Sequence, residues 1–143
     1  MSQPQTYANH RRFEPLFHYG LLPFFLLTAV ATVWHLIKYP SLHSAWVMLA
    51  AFALVLLTLE VRGYALKVQD RLIRLEEQLR MERLLPADLK ARIPELTVRQ
   101  CVGLRFASDG ELADRVREAL AEGLNDEAIK ERIQSWRPDT FRV

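Results

Sequence analysis

The sequence predicts an all-α membrane protein. It reads as a two-helix transmembrane hairpin whose second span continues as a long cytoplasmic helix, followed by a small helical domain. Three observations predict this. No Asp, Glu, Lys or Arg falls between Leu16 and Ile37, and none between Tyr39 and Leu59, while roughly 20 mainly apolar residues suffice to cross a ~30 Å hydrocarbon core. Beyond Leu59 the helix-forming residues run on to Pro86 with no stop signal. Beyond Pro86, capping signals mark a series of short helices. The chain therefore divides into residues 1–15, a cytoplasmic or interfacial lead; 16–59, the hairpin, with spans at about 16–37 and 44–61; 60–85, a helical stalk; and 86–143, the small cytoplasmic domain.

The lead is polar and dotted with aromatics. Pro15 and Gly20 argue against one straight helix entering from upstream, and Phe13, Phe17 and Tyr19 suit the headgroup level. Ala29-Val30-Ala31 has the form of a signal-peptidase site, but the apolar run continues past it to Ile37, so a retained span is expected. Pro23 sits near the start of this span, where a missing N–H matters least. Trp34, Tyr39 and Trp46 mark the far interface. The turn from Lys38 to Ser44 is short, which makes the spans antiparallel neighbours. Ala29, Ala31, Ala50, Ala51 and Ala53 allow their backbones to approach.

Orientation follows from basic residues near the span ends. Arg11, Arg12, Arg62, Lys67, Arg71 and Arg74 lie on the side of the termini and only Lys38 lies at the turn, so both termini are expected in the cytoplasm. Glu60 and Arg62 cap the span by snorkelling.

The stalk predicts one helix from about Ser44 to Leu85, with Gly63 its only weak point. Val61, Ala65, Val68, Leu72, Leu75 and Leu79 recur at 4-3-4-3-4 spacing, an a/d seam. Asp70 with Arg74, and Glu76 with Arg80, are i,i+4 pairs of helix-supporting order. The seam has two readings: a parallel coiled coil with a second copy, or the face onto which the tail folds. The second is preferred, because Pro86 lets the chain reverse. It predicts Leu72, Leu75 and Leu79 packed against Leu104, Phe106, Leu112, Val116, Ile133 and Trp136, with Leu75→Ala costing roughly 2–5 kcal/mol.

In the tail, residues 86–93 form a short helix closed before Pro94. Thr97 with Gln100 forms a capping box stapled by Leu96 and Cys101. Ser108 to Glu111 reads as a second box, with Ala107 and Leu112 as its staple. Gly123 ends that helix, and Asn125 caps a third, stapled by Leu124 and Ile129. Trp136, Phe141 and Val143 give the C-terminus apolar weight and predict that it docks.

Charge excludes one class of function. From Glu60 to Val143 there are 16 Lys+Arg and 16 Asp+Glu, without the basic excess of a nucleic-acid binder. The helix–turn–helix pattern of 97–123 therefore predicts no nucleic-acid partner. Cys101 is the single cysteine and has no nearby His in sequence to activate it.

The strings Gln5 to His10 with Arg12, Arg62 to Glu77 (RGYALKVQDRLIRLEE), Leu104 to Leu112 (LRFASDGEL) and Ile133 to Val143 (IQSWRPDTFRV) resemble a family catalogued as domain of unknown function 6526. The likeness spans nearly the whole chain. It implies a small bacterial inner-membrane protein with two spans, and it supplies no activity.

Candidate chemistry is sparse. His18 and His35 are ionisable residues of the first span and invite haem ligation, but they lie about 25 Å apart on a helix rising about 1.5 Å per residue. Anchoring at the two interfaces explains them better, and no cofactor, metal or catalytic residue is expected. Ser108, Asp109 and Glu111 are accounted for by the capping box. Arg71, Arg74, Arg105 and Trp136 are the candidates for contact with partners. The expected function is a non-enzymatic, membrane-anchored interaction module, an accessory or assembly subunit whose partners are the lipid bilayer and other membrane-complex proteins or further copies of itself. The alternatives are a small redox or transport component using the span histidines, and a membrane-tethered regulator.

Overall fold

In a computed structural model, the structure describes residues 5–9 and 14–139. Arg11, Arg12, Phe13, Phe141 and Val143, to which roles are assigned above, lie outside them. The described residues are helical, with no strand beyond an isolated antiparallel bridge between Ala107 and Trp136. A single π-helical turn, Leu16–Leu21, leads into α1 (Leu22–Lys38). Then come α2 (Leu42–Leu84), α3 (Ala87–Lys90), a 3₁₀ turn (Ile93–Glu95), α4 (Val98–Leu104), α5 (Leu112–Glu122) and α6 (Asp126–Arg132). The chain forms two compact units, 12–66 and 67–143 with residues 1–11, and the boundary falls inside α2.

The first unit is the hairpin. Pro15 and Gly20 do not interrupt the helix. They are accommodated by the wider π turn, where the His18 ring contacts the Glu14 carbonyl at 2.9 Å. Pro23 falls in the first turn of α1 as expected. Tyr39, Pro40 and Ser41 alone connect the two helices. Ser41 Oγ accepts from the Ser44 amide at 3.1 Å, and the buried Ser44 hydroxyl donates back to the Tyr39 carbonyl at 2.7 Å. This cap starts α2 two residues earlier than expected. Among the five alanines, Ala29 and Ala51 are buried and the other three are exposed, so a small-residue contact forms at two positions rather than five. Cation–aromatic pairs occur at both ends. Lys38 Nζ lies 4.6 Å from the Trp34 ring, and the Arg62 guanidinium lies 5.5 Å from that of Phe17.

The second unit packs the last part of α2 and α3–α6 around one core. Met81, Leu85, Leu89, Ile93, Leu96, Cys101, Leu104, Phe106, Ala107, Leu112, Val116, Ala119, Ile129 and Ile133 are buried together, with Trp136 packed against them. The tail half of the predicted interface is therefore borne out. The predicted α2 half is not: Val68 is 65% exposed, Leu72 53%, Leu75 54% and Leu79 58%. The tail packs instead on Ile73, Glu77, Met81 and Leu85, a row at 4-4-4 spacing on the other side of the helix, together with Arg80. An apolar count passes over that row, because two of its contributors are charged.

Local caps follow the sequence with one exception. Thr97 and Gln100 form the reciprocal box, the Thr97 amide donating to Gln100 Oε1 at 2.9 Å and the Gln100 amide to Thr97 Oγ1 at 3.2 Å. Gln100 Nε2 also donates 3.0 Å to the Ala119 carbonyl, which joins α4 to α5. Gly123 ends α5 with φ +63°, and Asn125 Oδ1 accepts from the Ala128 amide at 2.9 Å. The box at Ser108–Glu111 does not form. Glu111 precedes α5 with no side-chain cap, and its carboxylate accepts instead from the amides of Gln134 and Ser135. The residues that would have capped α5 thus tie down the C-terminal segment.

The lead also belongs to this unit. Gln5 Oε1 accepts from the Asp139 amide at 2.7 Å, and Tyr7 Oη donates to Glu131 at 3.0 Å. Residues 5–9 thus contact the tail.

Candidate functional site

The side chain that organises the second unit is Arg80. Its neighbours Ile73, Glu77 and Met81 share the buried face of α2, so the guanidinium enters the domain rather than water. There Nη1 donates 2.9 Å to Glu77, Nη2 donates 2.7 Å to the Ala107 carbonyl, and Nε and Nη2 both reach Asp109 Oδ1, at 2.9 and 2.6 Å. A planar fork with five donors can serve three partners at fixed angles in this way. The Glu76–Arg80 surface pair expected from i,i+4 spacing gives way to this set. The other oxygen of Glu77 accepts from Arg137 Nη1 at 3.1 Å.

Around this hub the segment 105–109 and the segment 135–137 run side by side. The Ser108 amide donates to the Ser135 carbonyl at 3.0 Å and the Arg137 amide to the Phe106 carbonyl at 2.8 Å. Arg105 Nε meets Asp139 at 3.1 Å, and its guanidinium lies 4.5 Å from the Phe106 ring. The Phe106 and Trp136 rings sit 5.1 Å apart, and Trp136 Nε1 donates to the Ile133 carbonyl. Arg80 holds the Asp109 carboxyl below its usual range through these hydrogen bonds.

Two of the four contact candidates are thus used by the fold itself. Arg105 is buried and Trp136 half-buried. Arg71 is exposed and Arg74 half-exposed, so these remain accessible on α2. Glu77, Arg80 and Asp109 were absent from the candidates. The readable signal was the row Ile73-Glu77-Met81-Leu85, in which a charge occupies a position that the period reserves for the core.

Next to the hub, an open groove of about 630 Å³ is bordered by Leu72, Glu76, Leu79 and Arg83 of α2 and by Arg137 and Pro138. Leu72 and Leu79 are exposed there, and with the exposed Val68 and Leu75 they make an uncovered apolar row on the seam side of α2.

His18 and His35 do not converge. His18 lies in the π turn and His35 near the opposite end of α1. His35 instead shares a hollow of about 440 Å³ with His43, Thr28, Thr32 and Ser44, and its ring lies 5.2 Å from that of Tyr39. Among the described residues, no three His, Cys, Asp or Glu side chains are grouped to hold a metal ion. Cys101 is buried, and burial pushes its thiol up to about 11. A thiol so placed is protonated at neutral pH and a poor nucleophile.

A family model described as "Family of unknown function (DUF6526)" matches residues 1–143. The chain belongs to this family. No curated protein and no solved structure matches it. The family description carries no activity, so any functional reading of this DUF6526 protein rests on its own geometry.

Proposed function

We propose that this DUF6526 protein is a non-enzymatic, membrane-anchored interaction module, an accessory or assembly subunit of a bacterial inner-membrane complex with both termini in the cytoplasm. The observation that carries the reading is the exposure of both apolar helices. Two helices are long and apolar enough to cross a membrane, Leu16–Lys38 and the first part of Leu42–Leu84. Phe24, Leu27, Val30, Trp34, Leu49, Leu56 and Leu57 all point away from protein. A contiguous surface of this kind is far larger than the few hundred Å² that soluble monomers leave uncovered, and a bilayer covers it at no cost in apolar hydration. The core helix of a soluble protein would bury the same residues.

The interaction role is supported by the second unit. Its ion pairs hold its own segments together, its one cysteine is buried, and the apolar residues Val68, Leu72, Leu75 and Leu79 stay exposed along one face of α2. The experiment is extraction of vesicles containing the full chain at alkaline pH, with protease added to intact vesicles. Retention in the bilayer, with the C-terminal unit digested only from the cytoplasmic side, is expected. Release of the chain into the supernatant would overturn the anchoring.

A second reading, a small redox or transport component, draws on the hollow lined by His35 and His43. The purified protein would then carry a haem absorption band or bound metal, and a sample with neither, and with no ion flux in vesicles, removes it.

A further inference from the structure

We infer that the exposed face of α2 between Val68 and Leu79 pairs with the same face of a second copy as a short parallel coiled coil. This rests on the membrane-anchored reading above and names the partner.

Three observations point there. Val68, Leu72, Leu75 and Leu79 keep 4-3-4 spacing and are each more than half exposed, although the tail of the same chain folds onto this very helix. In heptad terms they occupy d, a, d and a. Of the residues that the tail covers, Ile73, Glu77, Arg80 and Met81 fall at b, f, b and c, and Leu85, beyond the end of the seam, falls at g. Along the seam, the domain is therefore built on the outward side of a coiled-coil helix, and the four a and d side chains stay exposed.

The second observation is charge. Arg71 takes a g position and Glu76 the following e position. In a parallel, in-register pair, g of one helix meets the next e of the other. Arg71 of each copy thus faces Glu76 of its partner, twice by symmetry. The next such pair, Gln78 with Arg83, opposes no like charges. Both Arg71 and Glu76 are exposed. The third observation is space: the groove beside Leu72, Glu76 and Leu79 leaves the e side of the seam open.

The seam covers under two heptads, about 18 Å of helix at 1.5 Å per residue, which is short for pairing in free solution. Two copies anchored in one bilayer meet at a much higher effective concentration and already run parallel.

The test uses the full chain in liposomes at low protein density, with single cysteines placed in turn by Val68→Cys, Leu72→Cys, Leu75→Cys, Leu79→Cys, Lys67→Cys and Asp70→Cys, then oxidised. The buried Cys101 stays, and the unsubstituted chain is the control. Disulfide-linked dimers are expected at 68, 72, 75 and 79 and not at 67 or 70. Adding Arg71→Glu to Leu72→Cys replaces two attractive pairs by two repulsive ones and is expected to weaken association about tenfold. Adding Glu76→Arg as well should restore it, which a partner of different sequence would not do. Arg71→Glu places an acid four residues from Lys67, so the helix itself keeps its support. Linking without the 4-3-4 pattern, or charge reversal without rescue, would overturn the pairing. Chains retained after alkaline extraction but unlinked would overturn the self-pairing alone. Chains released by that extraction would overturn the anchoring and the pairing with it.

Discussion

Leu72 and Ile73 are neighbours on α2 and lie on different faces: Ile73 is 7% exposed and Leu72 53%. One step of 100° around the helix separates the face that builds a domain from the face that stays free. Folding of the second unit is followed in the full chain in micelles with Trp34→Phe and Trp46→Phe, which leaves Trp136, packed on Phe106, as the single fluorescent reporter.

Arg80→Ala should cost roughly 3–5 kcal/mol, the range for breaking a buried charge pair. It leaves the buried Glu77 with Arg137 alone and the Ala107 carbonyl without its side-chain donor. Arg80→Lys should recover little, because a single ammonium does not reproduce the planar fork. Asp109→Asn should cost less than about 1 kcal/mol, because the Asp109 side chain is 67% exposed and water replaces much of what is lost. Chemical unfolding of the three variants gives the order. Equal losses for Arg80→Ala and Asp109→Asn would place the weight of the network at the surface.

Acid should remove the Asp109 contribution. Arg80 depresses the Asp109 carboxyl in the folded state, so its stabilisation is fully present above the unfolded carboxyl value of about 3.9 and fades as pH falls through the lower folded value. The stability gap between the parent and Asp109→Asn should be constant from neutral pH to about pH 5 and then close on further acidification. A gap that widens in acid would reverse the sign.

Gly103→Ala should destabilise the unit. A Cβ there would meet the Asp126 carbonyl oxygen at 3.0 Å, Asp126 Cα at 3.1 Å and Ile129 Cβ at 3.1 Å. Two of these are backbone, so α4 and α6 must part. Overpacking of this kind costs about 1–3 kcal/mol, which outweighs the roughly 1 kcal/mol that alanine gains over glycine inside a helix. Gly110→Ala, with nothing within 4 Å, is the control and should change little. A thermal unfolding midpoint for Gly103→Ala at or above the parent's would show that the helices yield.

The helices, the long run of α2 through Gly63 and the caps at Thr97, Gly123 and Asn125 were legible in the sequence, because each is decided by residues within a few positions of one another. Pairing of the tail with α2 was half legible. Leu104, Phe106, Leu112, Val116 and Ile133 declare themselves as core, but two apolar rows on α2 compete and the stronger apolar row is the wrong one. What decides is the reach of Arg80 to Ala107 and Asp109, a contact 27 and 29 residues away that no local period encodes. The same holds for Glu111, whose position suits a cap while its carboxylate serves Gln134 and Ser135, and for Gln5 and Tyr7, whose partners lie at the far end of the chain.

The central claim is that the second half of α2 has one face that holds its own domain and one that does not. The most direct measurement compares Met81→Ala with Leu75→Ala in full-length protein, diluted until each micelle holds one copy, by chemical unfolding read from Trp136. Met81 is fully buried, and its truncation is predicted to cost about 2–5 kcal/mol. Leu75 lies on the exposed seam, and its truncation is predicted to cost less than about 0.5 kcal/mol. A loss at Leu75 equal to or larger than that at Met81 would mean that the tail folds on the seam after all.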